Sequence, residues 1–392
     1  MNKQLSRFWG GSVLPLPSLL TAVFLAPFAP ASHAQFYAVV PLQQIYGPLP
    51  TTAMAINNAG QIAGFSITAD GNSHAILWSH KGQATDLGTL GGQYSEALGM
   101  NDAGQIVGVS STAVRDLHAV VWNFLAASDL GGSPSSFNGA NAVNDAGTIV
   151  GQSSFPEPLA TVFTGNSTVV LPQNLSDGES GANGINDGGE VVGWAQTTAA
   201  SIHAVTWSDS TGKAFAVDLG TLGGGSSTAN SINNSGAIVG WSDTVDGHRH
   251  ATIWHQSAIT DLGTLGGSDS IARSVNSHGI VVGSAFPTGN ASYHATMWKN
   301  GKAIDIETRL TAADAQAYEL SEAVAINDRC WIAANGITKK NGTYTSFLLV
   351  PLRHSRCNPC PSQREDRRNY SDDEPFDPRS FKCGRHREAG EP

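Results

Sequence analysis

Five histidines recur at equivalent positions and are the first residues in this sequence that could carry chemistry. Each begins a phrase His-Ala-x-x-Trp, and they are His74, His118, His203, His250 and His294. Imidazole binds metals and titrates near neutral pH. A residue repeated once per structural unit, however, lies at the same radius in every unit, so its copies surround a ring and do not converge. We therefore predict that these histidines are structural, each hydrogen-bonding within or between units, for example to the Asp of a recurring Asp-Leu-Gly phrase.

Acidic turns and a cysteine pair are the other candidates for metal chemistry. The recurring Asn-Asp-x-Gly turns lack the dense alternation of oxygen ligands found in calcium loops, and local Asx turns account for them. Cys357 and Cys360 form a single C-x-x-C without a second pair or a βαβ pattern. The sequence contains none of the nucleophile-elbow, zinc-protease, phosphate-loop or dinucleotide motifs. We predict no catalytic residue, no metal and no cofactor.

The elements that position these residues are tandem repeats. The phrase A-x-x-x-N-D-x-G-x-I-V-G returns seven times, with 42 to 51 residues between successive copies. Its first asparagines are Asn57, Asn101, Asn144, Asn186, Asn233, Asn276 and Asn327. Five units then carry a tryptophan predicted to pack between sheets, namely Trp78, Trp122, Trp207, Trp254 and Trp298. The third unit departs from the pattern, and an insertion from Glu307 to Leu320 is predicted to form a short helix.

Each unit has the pattern of four short strands, because β-branched and aromatic residues alternate with Gly and Asx turns. Such a unit matches a propeller blade in length. The seventh unit lacks a fourth strand, whereas Phe36 to Leu42 forms a spare strand before the first unit. We predict an all-β, seven-bladed β-propeller over residues 35–352, closed by this N-terminal strand. An open β-repeat array or solenoid is the alternative.

The two ends differ in composition from the repeats. Residues 1–34 resemble a signal peptide, with basic Lys3 and Arg7, an apolar run and small residues before Gln35. Residues 353–392 are densely charged and poor in β-branched residues, which predicts a disordered tail. We expect a secreted, cell-surface or periplasmic protein without a transmembrane span after signal cleavage. The net charge of −10 argues against nucleic acid as a partner.

Three recurring motifs resemble those of the bacterial extracellular repeats known as the HAF family. They are Ala55 to Gly64, His74 to Trp78 and the Asp-Leu-Gly-Thr-Leu-Gly-Gly phrase beginning at Asp86, with Ile, Val or Thr where the family name has Phe. The resemblance covers roughly residues 36 to 350. It implies an exported protein and no established enzymatic activity.

The repeats disagree in the loops between the second and third strands, and variable loops on a rigid scaffold are where recognition usually lies. The candidate ligand-contacting residues on that face are Tyr94, Arg115, Asp116, Glu157, Glu179, Asp246, Arg249, Arg273 and Tyr293. The first hypothesis is a non-enzymatic binding or surface-interaction module whose extracellular ligand is a polysaccharide or a protein. A polysaccharide-directed hydrolase or lyase is the second, favoured by non-repeated carboxylates, Arg and Tyr with perturbed pKa at one channel mouth. A purely structural extracellular protein is the third.

Overall fold

The computed structural model describes residues 36–352, except 132–137, 155–156, 166, 200, 212 and 214. These residues form seven four-stranded antiparallel sheets. The first strand of each sheet contacts the first strands of the two neighbouring sheets, so that the seven sheets are blades around a central channel. The predicted seven-bladed β-propeller is therefore confirmed. The proposed signal peptide and charged tail lie outside the described residues, and no helix among the described ones could span a membrane.

Each blade runs outward from the channel in chain order. The innermost strands are β2 (Thr51–Ile56), β6 (Gly91–Met100), β10 (Asn138–Val143), β14 (Ser180–Ile185), β18 (Gly223–Ile232), β22 (Gly266–Val275) and β26 (Tyr318–Ile326). The second strands are β3 (Ile62–Ile67), β7 (Ile106–Thr112), β11 (Ile149–Ser154), β15 (Val191–Gln196), β19 (Ile238–Thr244), β23 (Val281–Pro287) and β27 (Ile332–Thr338). The third strands are β4 (Ser73–Trp78), β8 (Leu117–Asn123), β12 (Pro158–Thr164), β16 (Ile202–Trp207), β20 (Arg249–His255), β24 (His294–Lys299) and β28 (Thr343–Pro351). The outer strands are β5 (Ala84–Asp86), β9 (Ala126–Asp129), β13 (Ser167–Val170), β17 (Ala216–Asp218), β21 (Ala258–Asp261), β25 (Lys302–Asp305) and, for blade 7, β1 (Tyr37–Pro41).

The ring is closed by β1, which pairs antiparallel with β28 of blade 7. The pairing continues one residue beyond each end of β1, because Phe36 accepts a bond from Leu352 and Leu42 donates one to Ser346. The predicted closing strand is thus confirmed. Tyr37 is fully buried in the core between blades 6 and 7 and anchors the strand there.

The insertion between blades 6 and 7 covers the free edge of this closing strand. It contains a short 3₁₀ helix (Ile306–Arg309) and helix α1 (Ala312–Ala317), in place of the single predicted helix. The Asp314 carboxylate accepts a hydrogen bond from the Val39 N–H at 3.3 Å and another from the Thr311 hydroxyl at 2.9 Å. The insertion therefore provides the last strand of the ring with a partner on its outer side.

The seven Asn-Asp-x-Gly turns join neighbouring blades as well as neighbouring strands. Within each turn, the oxygen of the first Asn side chain accepts backbone N–H bonds, as at Gln61 in blade 1 (3.0 Å). In six blades the amide nitrogen of the same side chain donates to the carbonyl oxygen of the equivalent Asn in the next blade, at 2.9–3.4 Å. The side chains are 3–8% exposed, so both halves of a buried amide are satisfied.

A second ring of hydrogen bonds involves the residue after each Asn. Its backbone N–H donates to the side-chain oxygen of the equivalent residue in the next blade, for example from Asp102 to Asp145 at 2.9 Å. Six of the seven blade junctions carry this bond. The interpretation of these residues as purely local Asx turns was therefore wrong in part. A short polar side chain is needed here because it reaches a backbone N–H of the adjacent blade.

Candidate functional site

The five repeated histidines are paired with aspartates inside their own blades. The Nδ1 atoms lie 2.7–3.0 Å from carboxylate oxygens of Asp86, Asp129, Asp218, Asp261 and Asp305, which confirms the expected hydrogen bond. The second oxygen of each carboxylate accepts a backbone N–H two residues further on, as from Gly88 to Asp86 at 2.7 Å. Each pair therefore ties the third strand to the outer strand and to the following loop. Among the described residues no three His, Cys, Asp or Glu side chains are grouped as metal ligands.

The repeated tryptophans lie in the cores between blades, with at most 3% of each side chain exposed. Three of them also donate from the indole nitrogen to a backbone carbonyl oxygen in the chain leading into their own blade. The bonds run from Trp78 to Gln43 (2.9 Å), from Trp207 to Pro172 (3.2 Å) and from Trp298 to Gly263 (3.1 Å). The histidines and tryptophans thus fasten blades, and neither set forms a common pocket.

The Asn-Asp-x-Gly turns surround the mouth of the channel on one side of the ring, called here the turn face. They line a polar cavity of about 390 Å³. Its carboxylates are Asp102, Asp145, Asp187 and Asp328. Burial raises the pKa of Asp145, and the neighbouring carboxylates of Asp102 and Asp187 raise it further. The mouth is therefore a region of mutual carboxylate repulsion that the inter-blade hydrogen bonds hold together.

Replacing Asp145 with Asn is expected to stabilise the protein at neutral pH by about 0.5 kcal/mol, a small effect because the side chain is solvent-screened. Asn keeps the oxygen that accepts the Asp102 N–H and removes one repelling charge. Since the pKa of Asp145 is raised in the folded state, the charged form destabilises the fold, and this penalty disappears as pH falls below that pKa. Urea unfolding at pH 7 and at pH 3.5 measures the difference. An advantage of the variant that is as large at pH 3.5 as at pH 7 would contradict the electrostatic explanation.

The opposite side of the ring, called the variable face, carries the loops between second and third strands. Five of the predicted ligand contacts lie there as separate side chains of blades 2 to 5, namely Arg115, Asp116, Glu157, Glu179 and Asp246. A hydrogen bond from the Thr244 hydroxyl holds the pKa of Asp246 below its usual range. Tyr94 is paired with Glu96 in blade 2, where burial raises the pKa of both groups. The structure does not bring these residues together with one another.

The remaining three predicted contacts, Arg249, Arg273 and Tyr293, lie in blades 5 and 6. Arg249 and Tyr293 are at the variable face as predicted, whereas Arg273 lies within the innermost strand β22, so its placement on a loop of that face was wrong. The ring of Tyr293 stacks on Phe286 with centroids 4.0 Å apart. Burial raises the pKa of Tyr293, and its hydroxyl interacts electrostatically with Asp269, Arg249, Arg273 and Glu322. Three side chains that the sequence did not single out therefore complete the group. We define the blade 5–7 cluster as Trp241, Arg249, Asp269, Arg273, Tyr293 and Glu322.

The polar groups of this cluster are held in fixed orientations. The Arg249 guanidinium lies 3.6 Å from the centroid of the Trp241 ring, and its backbone N–H donates to Asp269 at 2.9 Å. The Nε atom of Arg273 donates to Glu322 at 2.6 Å. Burial alone would raise the pKa of Asp269, but hydrogen bonds from the Ser268 hydroxyl and the Arg249 N–H outweigh it and keep that pKa below its usual range.

The members that sequence reasoning missed stand at positions where the repeats disagree. Trp241 directly follows the last Gly of the repeat phrase. In the other six blades that position holds Phe65, Val109, Gln152, Trp194, Ser284 and Asn335. Glu322 lies on the innermost strand of blade 7, opposite Asn335. Comparing the second and innermost strands of the units, in addition to the loops, would have identified them.

No protein-family model matches the chain, and no curated protein matches it. Among solved structures, an acylaminoacyl peptidase from Pyrococcus horikoshii is similar with a TM-score of 0.52 and 10% identity, over 79% of this chain and 52% of that one. TolB from Acinetobacter baumannii matches with a TM-score of 0.43 and 12% identity, over 74% and 63% of the two chains. The chain thus spans between half and two thirds of the length of these proteins. At such identities the likeness concerns the fold alone.

Proposed function

We propose that this chain is an exported, non-enzymatic binding module that recognises a neutral polysaccharide at the blade 5–7 cluster. The observation that supports this most is a combination of fixed donors, fixed acceptors and aromatic rings. It extends from the loops of the variable face, where Arg249 and Tyr293 lie, to the innermost strands that carry Arg273 and Glu322. The side chains of Arg249 and Arg273 are 44% and 43% exposed, so N–H groups that make no bond within the protein can donate to a ligand. Asp269 and Glu322 provide acceptors beside them.

The balance of charge favours a neutral ligand. The two arginines are offset by Asp269, Glu322 and Asp243, whose carboxylate is 3.9 Å from Arg249. Sugar hydroxyls both donate and accept hydrogen bonds, so a site that offers both satisfies them better than it satisfies a charged group. The rings of Trp241 and Tyr293 add apolar surface for the C–H faces of a sugar. Orientation of polar groups by a few rigid contacts is the usual design of a small-molecule site.

A polysaccharide hydrolase or lyase is the second candidate, because non-repeated carboxylates, Arg and Tyr do cluster here. The directions of the pKa shifts favour binding over catalysis. Glycoside hydrolysis requires one carboxyl with a raised pKa to act as the acid, whereas the pKa of Asp269 is lowered and it stays ionised at neutral pH. The pKa of Tyr293 is raised, which disfavours the phenolate that a base would need.

Replacing Trp241 or Arg273 with Ala is expected to weaken polysaccharide binding about tenfold or more, as for other central contact residues. Calorimetric titration with hexasaccharides of β-1,4-glucan, β-1,3-glucan and mannan, and with oligogalacturonate as an acidic comparison, measures the effect. Trp194→Ala is the matched control, because Trp194 holds the equivalent position in blade 4 and lies outside the cluster. It should leave affinity unchanged.

Three results would contradict the proposal. They are the absence of binding to every neutral glycan, tighter binding of the acidic one, and equal losses in the Trp194 and Trp241 variants. Release of new reducing or unsaturated ends from any of these glycans, abolished by Glu322→Gln, would instead support the enzyme. Export is tested separately by fractionating cells that express the full chain, where a cytoplasmic product would contradict it.

A further inference from the structure

The tip of the β8–β9 hairpin in blade 2 presents two large apolar side chains to solvent. Phe124 is 95% exposed and Leu125 is 53% exposed, although side chains of this size are normally covered. Both have positive φ, 46° and 72°. That region of backbone conformation is uncommon for bulky residues and is usually filled by Asn or Gly in a two-residue hairpin turn.

The equivalent hairpins of other blades show what the turn itself requires. Blade 6 has Asn300 and Gly301 there, and blade 5 has Gln256 and Ser257, with φ values between 48° and 70°. Polar or flexible residues thus adopt the same turn conformation in these other blades. Neither folding nor the turn geometry accounts for Phe124 and Leu125, so their apolar surface needs another explanation.

The surroundings of the tip are acidic. It lies on the turn face, where the Gln105 side-chain amide donates to Asn123 at 3.1 Å and connects the hairpin to the turn that carries Asp102. Asp145 follows on the adjacent blade. Between residues 91 and 171 the sequence has no lysine and a single arginine, Arg115, which belongs to the opposite face. Blades 2 and 3 therefore surround this apolar projection with carboxylates and contribute no lysine or arginine of their own to the turn face.

We propose that Phe124 and Leu125 dock into an apolar pocket of a partner protein whose rim is basic. Aromatic anchors that enter a pocket dominate the affinity of many interfaces, and complementary charge around them sets specificity and association rate. An anionic lipid surface fits less well, because Asp102 and Asp145 would be repelled by it. This surface belongs to blades 2 and 3 and shares no residue with the blade 5–7 cluster, so each of the two proposals can fail without the other.

The test uses the full chain and a fluorescent synthetic pair of linked amphipathic helices, whose leucines form an apolar groove bordered by lysines. The double variant Phe124→Asn, Leu125→Gly copies the blade 6 turn and keeps every charge. We expect it to lose roughly tenfold or more in affinity. The variant Asp102→Asn, Asp145→Asn keeps the oxygens that accept the backbone N–H bonds of Asn58 and Asp102, although it loses the bond from the Asn58 side-chain amide. It should also weaken binding while reducing its salt dependence. Melting followed by circular dichroism should show the hairpin variant no less stable than the wild type, which excludes misfolding as the cause.

Two other partners of the hairpin tip, a lipid surface and a second copy of the chain, are tested with the same variants. Tip-dependent binding to phosphatidylcholine or phosphatidylglycerol vesicles would show a lipid surface and overturn the proposal. A concentration-dependent dimer that the hairpin variant abolishes would show a second copy of the chain and overturn it as well. Failure of the helix pair to bind, or binding that the hairpin variant leaves unchanged, would also overturn it.

Discussion

Replacing Gly240 with Ala is expected to destabilise the protein by about 3 kcal/mol, at the upper end of what overpacking costs. Gly240 lies on β19 opposite Ala229, immediately beside a β-bulge in the innermost strand. A Cβ atom there would sit 1.9 Å from the Thr228 carbonyl oxygen and 2.9 Å from its carbonyl carbon. Both are backbone atoms, so no side chain can rotate away and the two strands must separate. The gain of roughly 0.4–1 kcal/mol from restricting the unfolded chain is too small to compensate.

Gly225→Ala is the matched control, because Gly225 lies on the adjacent innermost strand of the same blade. Nothing lies within 4 Å of a Cβ added at Gly225. The control should therefore be neutral or slightly stabilising. Urea unfolding measures both, and a lower midpoint with an unchanged slope identifies a loss of stability. Similar midpoints for the two variants would show that the blade can relax around the extra methyl group. The same holds at other blades, where an added Cβ would lie within 2.0 Å of a carbonyl oxygen at Gly64, Gly108, Gly151, Gly193 and Gly283.

Replacing Val40 with Pro is expected to detach the closing strand and to lower the free energy of unfolding by about 3 kcal/mol or more. The bonds at Phe36 and Leu42 show that even-numbered residues of β1 face β28, so Val40 belongs to this ladder. Proline lacks the N–H and cannot complete it. Because β1 is the outer strand that joins the two ends of the ring, its loss also exposes the core around Tyr37. We expect earlier unfolding and faster proteolysis near the N-terminal end.

Val39→Pro is the control that distinguishes the loss of a β1–β28 hydrogen bond from the general effect of placing a proline in β1. The Val39 N–H faces the other way and donates to Asp314, and the natural Pro41 lies on that same side. The Val39 variant loses one bond to the insertion and keeps the pairing with β28, so its loss of stability should be much smaller. If the two prolines were equally disruptive, or if Val40→Pro unfolded like the wild type, the closing strand would not hold the ring.

Much of the fold follows from local patterns in the sequence. The Asn-Asp-x-Gly turns, the β-branched runs and the spare strand before Leu42 predict seven blades and their closure, because strand and turn preferences depend on near neighbours. The His–Asp pairs were predictable for a related reason, since the partners, such as His74 and Asp86, lie only 12 residues apart.

The candidate sites were harder to predict from the sequence than the fold was. Arg249, Arg273 and Tyr293 were identified from variable positions. Trp241, Asp269 and Glu322 were not, because they lie within strands, where a difference between repeats points less directly to a ligand contact than a difference in a loop does. They join the site only through contacts with side chains of neighbouring blades. Arg273 and Glu322, for example, are hydrogen-bonded although they are 49 residues apart. The solvent exposure of Phe124 could not be predicted from the sequence either, because an apolar residue next to a strand is ordinarily assigned to that strand and expected to be buried.

The sequence alone determined the repeat with its strands and turns, because these depend on residues close together in the chain. It also indicated the closing strand, because the last unit is one strand short and one spare strand precedes the first unit. Only the tertiary structure decided what the repeated polar residues do between blades. Asn327 and Asn57 are 270 residues apart, yet the side chain of the first donates to the carbonyl oxygen of the second at 2.9 Å. Such contacts exist only once seven blades are placed around one axis, and the same placement assembles the blade 5–7 cluster.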